Sequence, residues 1–195
     1  MDLATARTGP DRAAHVPGEP GLWTFLLGDM MLFAMMFATI GYYRSTDFDT
    51  FAESQATLTR ALGVLNTVLL LSGSLFVALG VQAARRSSER SARRYLLLGL
   101  STGVGFCVVK WFEYSAKIGV GITPTTNNFF TCYFVFTALH LVHVVVGMGI
   151  VILMAHRTSN RDRLYDSLGF IEGGACYWHL VDLLWVVLFA LLYLA

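Results

Sequence analysis

Charged residues are scarce in this sequence, and their scarcity excludes a soluble globular fold. Aspartate, glutamate, lysine and arginine make up only 14% of the 195 residues, whereas 55% are hydrophobic. A soluble domain of this length needs a larger charged fraction. The apolar excess is concentrated in long runs, so we expect a membrane protein without a water-soluble domain.

Cysteine is also rare, and the pattern of the few cysteines excludes most cysteine chemistry. Cys107, Cys132 and Cys176 lie in three separate apolar runs. The sequence contains neither a CxxC pair nor the CxxCH motif that attaches haem covalently. We therefore expect all three to be small core residues.

Five apolar runs are each long enough to cross a bilayer, which takes about 20 residues of helix. Helices satisfy their own backbone hydrogen bonds, so an all-helical bundle is the natural spanning structure. The predicted fold class is an all-α bundle of five transmembrane helices. The predicted spans lie near Gly21–Tyr43, Ala61–Ala84, Tyr95–Lys117, Phe129–Ala155 and Glu172–Leu194.

Basic residues are concentrated on one side of this predicted bundle. Ten of the fourteen Lys and Arg residues lie in the N-terminal segment and in the loops Arg85–Arg94 and His156–Arg163, which five spans put on the same side. The loops Arg44–Arg60 and Ile118–Asn128 carry little positive charge. The positive-inside rule therefore predicts a cytoplasmic N-terminus and a C-terminus on the outer side.

The first twenty residues are polar and contain three of the four prolines. They lack the apolar core and small-residue cleavage site of a secretory leader, so we expect no cleaved signal peptide. Residues 1–20 are predicted to form a loose tail, and residues 21–195 a single membrane domain. Pro20 suits the first turn of a helix, where its missing N–H costs no hydrogen bond.

Ionisable residues also fall within the spans, where an unpaired charge costs about 3 kcal/mol or more. Asp29 lies about eight residues into the first span. A proton site, a lipid-headgroup site and a hydrogen bond to a neighbouring helix all fit this carboxyl group. Lys110, Glu113 and Lys117 in the third span have spacings that favour a structural ion network over a proton-handling role.

Two histidines, His140 and His143, lie one turn apart in the fourth span. Imidazoles at a similar spacing can bind one metal, but no carboxylate or thiolate on that face completes a ligand set. Adjacent turns of one helix also cannot supply opposite axial ligands of a haem. We therefore predict no metal site and no catalytic site, and we favour bonds to neighbouring helices or lipid headgroups.

The fifth span carries Glu172, His179 and Asp182 on one broad stripe. Such a polar face indicates that this side of the helix meets protein rather than lipid. His179 and Asp182 can pair with each other, with Asp29 or with the histidines of the fourth span. The pattern leaves these alternatives open.

Two motifs in this order resemble subunit III of the haem–copper oxidases. Thr137–Val144 reads TALHLVHV, where the usual form is close to TGxHGxHV, with Ala138 and Val142 in place of common glycines. Glu172–Trp185 reads EGGACYWHLVDLLW, close to the usual ExxxxYWHFVDxxW. The resemblance extends from about Gly21 to the C-terminus.

Two features distinguish this chain within that family. Many members have seven helices, whereas this chain starts at what would be their third, so the lipid cleft enclosed by the first two is not expected. The first shared helix usually carries Glu where this chain has Asp29, in GDMMLF. With the preceding GEPGLW, this variant resembles the branch called nitric oxide reductase activation proteins. An oxidase subunit and a nitric oxide reductase accessory protein are therefore both hypotheses.

The resemblance implies an accessory role in a bacterial plasma membrane. Subunit III binds neither haem nor copper; the haem and copper, or non-haem iron, lie in the catalytic partner. The chain would contact catalytic subunit I, other subunits and membrane lipids, and it could hold a bound phospholipid. It would bind no nucleic acid. Its role would be to support the stability and the proton uptake of the catalytic subunit. Asp29 would be the buried acid, and the other polar residues would hold helices together or contact lipid. An autonomous redox protein, liganding metal through His140, His143 and His179, is the weaker alternative.

Overall fold

The computed structural model describes residues 20–158 and 167–194. Five of the helices in these ranges are long and apolar enough to cross a membrane, which confirms the predicted all-α fold. The predicted tail, apart from Pro20, and residues 159–163 of the second basic loop lie outside the described residues. The helices are α1 (Pro20–Thr46), α2 (Phe48–Ala56), α3 (Arg60–Arg85), α4 (Glu89–Gly119), α5 (Asn128–Arg157) and α6 (Leu168–Phe189), and α6 continues into a π-helical turn, Ala190–Leu194.

Helix α2 was not predicted, because it lies in a segment that hydropathy assigns to a loop. Phe51 is buried and meets the ring of Phe129 edge-on, with centroids 4.8 Å apart. Gln55 donates from Nε2 to the carbonyl oxygen of Leu192 at 3.2 Å. The short helix thus packs one face against α5 and the end of α6.

The start of α4 also differs from the prediction. The helix begins at Glu89, not near Tyr95, and so includes part of the arginine-rich segment. Arginine is a good helix former, so the backbone is helical before the sequence becomes apolar. Arg93 and Arg94 therefore lie on a helix at the membrane boundary and not in a loop.

Helix α6 is the central element of the bundle. Over its most apolar stretch 56% of the residues are buried, compared with 28–33% in the other four spans. Helices α3, α4, α5 and α6 pack as a closed ring of neighbours, and α1 packs against α5 and α6. With the edge-on contact between Phe106 of α4 and Trp185 of α6, whose ring centroids are 4.8 Å apart, α6 contacts all four other spans.

Small residues bring α3 and α4 close together. A Cβ atom on Gly99 would lie 3.0 Å from Val77 Cγ2 and 3.3 Å from the carbonyl oxygen of Gly73. Glycine at such positions lets two membrane helices approach backbone to backbone. Each of these two helices forms one wall of a groove described below, α3 in one groove and α4 in the other.

Candidate functional site

Asp29 and His143 join α1 to α5. Oδ1 of Asp29 lies 3.0 Å from Nε2 of His143, and only 8% of Asp29 is exposed. The ring of Phe33 meets His143 edge-on, with centroids 5.2 Å apart. The buried acid of the first span therefore has its partner in the fourth.

The hydrogen bonds of this pair fix how many protons it holds. Nδ1 of His143 lies 2.7 Å from the carbonyl oxygen of Leu139, and a carbonyl oxygen only accepts, so Nδ1 carries hydrogen. The contact with Asp29 then needs one further proton, on Nε2 or on the carboxyl group. Both forms are neutral overall, so a proton can move between Asp29 and His143 without a net charge appearing in the membrane.

Lys110 and Glu113 form a second buried group, at 0% and 2% exposure. Nζ of Lys110 lies 2.9 Å from Oε2 of Glu113, 3.3 Å from Oη of Tyr133 and 3.4 Å from Oη of Tyr193. Tyr193 in turn donates to Oε1 of Glu113 at 2.5 Å. We call these four residues the inner cluster. All three ammonium hydrogens have an acceptor, so no donor of Lys110 is left without a partner.

Aromatic rings surround the ammonium group of the inner cluster. Nζ of Lys110 lies 4.8 Å from the ring centroid of Tyr133, 5.0 Å from that of Tyr114 and 5.5 Å from that of Trp185. Cations near aromatic faces are stabilised by the ring quadrupole, more strongly away from water. Lys117 does not join the cluster; it donates to the carbonyl oxygen of Thr57.

His140 occupies a different environment from His143, although the two are one turn apart. It is fully buried, and ring contacts to Phe106 at 5.6 Å and Trp185 at 5.3 Å surround it. Neither ring nitrogen has a hydrogen-bond partner among the described residues. The two imidazoles therefore do not converge on one point.

Glu172 and His179 each connect α6 to α3. Oε1 of Glu172 accepts from Nε of Arg85 at 2.8 Å, and Nδ1 of His179 forms a hydrogen bond with Oγ of Ser74 at 2.5 Å. Asp182 is buried at 4% exposure, and neither of its oxygens has a hydrogen-bond partner within the described ranges. It forms none of the pairings that the sequence left open.

A groove of about 340 Å³ runs between α3 and α6 beside these contacts. The groove contains both small and polar side chains, and its polar side chains extend from the helix ends into the span. Its lining, which defines the α3–α6 groove, comprises Ala78, Val81, Gln82, Arg85, Glu172, Ala175, Cys176 and His179.

The three histidines considered as metal ligands lie in separate places. His143 meets Asp29, His179 meets Ser74 and His140 packs among aromatic rings. In the part of the chain that the structure describes, no three His, Cys, Asp or Glu side chains come together as a metal site requires. The three histidines therefore do not form a shared metal site.

Several partners in these contacts were not identified from the sequence. Tyr133 and Tyr193 complete the inner cluster from other helices, and their sequence context gives no signal beyond aromatic character. The Arg85–Glu172 pair did carry a signal, because both residues lie at the predicted basic end of adjacent spans. Ser74, the partner of His179, was not among the predicted site residues.

Comparison with known proteins gives consistent matches along almost the whole chain. The family described as cytochrome c oxidase subunit III matches residues 15–195. Cytochrome c oxidase subunit 3 of Synechocystis is 28% identical, over 97% of this chain and 86% of the relative. Cytochrome bo(3) ubiquinol oxidase subunit 3 of Buchnera aphidicola is 25% identical, over 89% and 92%. Heme-copper oxidase subunit I+III of Aeropyrum pernix is 23% identical, over 89% of this chain and 22% of the relative.

Proposed function

Because this chain belongs to the cytochrome c oxidase subunit III family, we propose that it is a non-catalytic membrane subunit of a respiratory haem–copper oxidase. In this role it stabilises the catalytic subunit and supports its proton uptake during oxygen reduction. The observation that carries the proposal is the family match over residues 15–195 of a chain with five spanning helices. The oxidase names of the relatives favour oxygen over nitric oxide as the terminal acceptor.

We further propose that the chain packs directly against catalytic subunit I, which holds the haem and copper. The relative from Aeropyrum pernix is named as subunit I and subunit III together, and this chain matches 22% of its length. A single polypeptide carrying both parts keeps them in one complex. If the two parts are also neighbours when they are separate chains, subunit I and this chain must share an interface within the membrane.

The α3–α6 groove is the face that best fits such an interface. His179 lies seven residues beyond Glu172, which is about 10 Å deeper along the helix. Ser74 bonds Nδ1 of this imidazole, but hydrocarbon cannot satisfy the other ring nitrogen at this depth, whereas a protein side chain can. Ala78, Ala175 and Cys176 let another helix approach closely. A helix of subunit I that brings a polar group to His179 is the proposed occupant.

Charge at the two ends of the bundle supports the proposed orientation. Arg85, Arg94 and Arg157 lie at one end, where α3 ends, α4 begins and α5 ends. Asp47, Asp49 and Glu53 lie at the other end, in and beside α2. The positive-inside rule puts the first end in the cytoplasm. Residues 1–20 would then extend from that side as a tail, with residues 21–195 forming one membrane domain.

The Asp29–His143 pair has the chemistry that a proton-related role needs. It holds one movable proton, and Oδ2 of Asp29 has no hydrogen-bond partner among the described residues. We propose that it supports proton uptake by the complex, while the inner cluster and the Arg85–Glu172 and His179–Ser74 contacts hold helices together.

Purification of the complex tests the proposed function. The tagged chain, extracted from native membranes in a mild detergent, is expected to bring with it a large subunit that shows a haem Soret band. A second tagged five-span protein from the same membranes serves as the control. Recovery of the chain without haem, from an extract in which other respiratory complexes are intact, would contradict the proposal.

A further inference from the structure

A second groove opens between α4 and α5 at the same basic end of the bundle. It encloses about 190 Å³ and is lined by Arg93, Leu97, Ile152, Ala155 and His156, which define the α4–α5 groove. Arg93 lies near the start of α4, and His156 lies in the last turn of α5. Two basic side chains therefore stand at the rim, where the helices leave the membrane.

Among the described residues, no carboxylate forms an ion pair with the basic side chains at the rim of this groove. Arg93 and His156 are both exposed, and neither forms an ion pair with a residue in the described ranges. Glu89 lies one turn before Arg93 on α4, but it makes no ion pair with it. Arg90 adds a further cation on the same helix. An anion that enters the rim meets the hydrogen-bond donors of Arg93 and His156.

Below the rim the groove is entirely apolar. Leu97 and Ile152 are 45% and 51% exposed, and the valines seven residues deeper on each helix, Val104 on α4 and Val145 on α5, are 50% and 52% exposed. The distance from Arg93 to Val104 is about 16 Å at the helical rise per residue. One leaflet of the hydrocarbon core is about 15 Å thick, so the wall matches the depth of an acyl chain.

We propose that the α4–α5 groove binds an anionic glycerophospholipid, with the phosphate between Arg93 and His156 and an acyl chain along Leu97 and Ile152. A guanidinium group binds phosphate with two parallel hydrogen bonds, and an imidazole adds an N–H donor. Basic pockets between helices at the membrane boundary are suited to anionic headgroups. Unlike the α3–α6 groove, this groove has no polar side chain below its rim for a partner helix to meet.

Lipid binding by the full chain tests this site. The chain is purified in a mild detergent, and native mass spectrometry counts the bound lipids at equal concentrations of phosphatidylglycerol and phosphatidylcholine. We expect a preference for phosphatidylglycerol that falls roughly tenfold in the double variant Arg93→Gln/His156→Gln. The matched control Arg86→Gln/Arg94→Gln removes two cations at the same end that do not line the groove. It should keep the preference within about twofold, because surface attraction alone is weak.

A third variant separates a lipid site from a bare anion site. Ile152→Trp fills the apolar wall and keeps Arg93 and His156, so it should also lose bound phosphatidylglycerol. Inorganic phosphate at millimolar concentration should not displace the lipid from the wild-type chain. The substituted side chains are exposed, and far-UV circular dichroism checks that the helices are intact. The proposal fails if the groove variant binds as much phosphatidylglycerol as wild type, if the control loses as much as the groove variant, or if Ile152→Trp binds normally.

Discussion

The inner cluster and the α3–α6 groove both place polar side chains within the membrane spans, but only the inner cluster encloses them completely inside the bundle. Lys110 and Glu113 are almost completely buried, and each ammonium hydrogen has an acceptor in the same chain. His179 instead lines a groove that opens outward. A polar group in hydrocarbon needs a partner, so the cluster is complete in the isolated chain, whereas the proposed second protein would cover the ring nitrogen of His179 that Ser74 does not bond.

The largest effect is expected where the inner cluster is broken. Glu113→Gln keeps the shape of the side chain but leaves Lys110 without its counter-charge. Loss of one partner of a buried ion pair costs about 3–5 kcal/mol, so the variant should unfold at clearly lower denaturant. Unfolding of the isolated chain in mixed detergent micelles, followed by circular dichroism, measures this.

Removal of both charges provides the control for this variant. Lys110→Met combined with Glu113→Leu replaces the pair with apolar groups of similar size, and such replacements are often neutral or stabilising. The double variant should therefore be more stable than Glu113→Gln. If both variants lost the same stability, the cluster would depend on packing and not on charge, and the contrast with the groove would be lost.

The next effect is expected in the α3–α6 groove, on assembly and not on folding. Ala78→Trp places a large ring where the proposed partner helix lies, so co-purification of the haem-containing subunit should fall about tenfold or more, as when complementarity is lost at the centre of an interface. Ala61→Trp, at an exposed position of the same helix outside the groove, is the matched control. Normal assembly of Ala78→Trp would show that the groove does not face the partner.

The third largest effect is expected at Asp29, because only one of its carboxylate oxygens has a hydrogen-bond partner among the described residues. Oδ1 is bonded to His143, and Oδ2 is not bonded. Asp29→Ala should leave assembly largely intact and lower sustained turnover of the complex. Asp29→Asn can still donate a hydrogen bond to Nε2 of His143 but cannot share a proton with it, and its stability should change by about 1 kcal/mol or less. Oxygen consumption over many turnovers measures the difference. If the assembled Asp29→Asn variant turned over as fast as wild type, the Asp29–His143 pair would serve only as a contact between helices.

The fold could be predicted from the sequence because membrane spans are long and apolar. The five spans needed only length and hydropathy, and the structure agrees with them to within a few residues apart from the earlier start of α4. Helix α2 could not be predicted in this way. It is nine residues long, and it is stabilised by tertiary contacts of Phe51 and Gln55, which no local pattern reveals.

The candidate site could be predicted only where both partners lie on one helix. Lys110 and Glu113 are three residues apart, so the ion pair followed from spacing alone. Asp29 and His143, or His179 and Ser74, are more than 100 residues apart, and their pairing depends on how the helices are rotated against each other. The sequence could show that such groups need partners, but it could not identify those partners.

The smallest effect is expected at the Arg85–Glu172 pair, which lies at the basic end of the α3–α6 groove. The Arg85 side chain is 59% exposed, and an ion pair this accessible to water contributes about 0–1 kcal/mol. Arg85→Gln should therefore change the unfolding free energy of the isolated chain by less than about 1 kcal/mol, and less still at high salt. If Arg85→Gln lost as much stability as Glu113→Gln, the ion pair at the rim of the groove would contribute as much to folding as the inner cluster does. The proposed need for a partner at the groove would then rest on His179 alone.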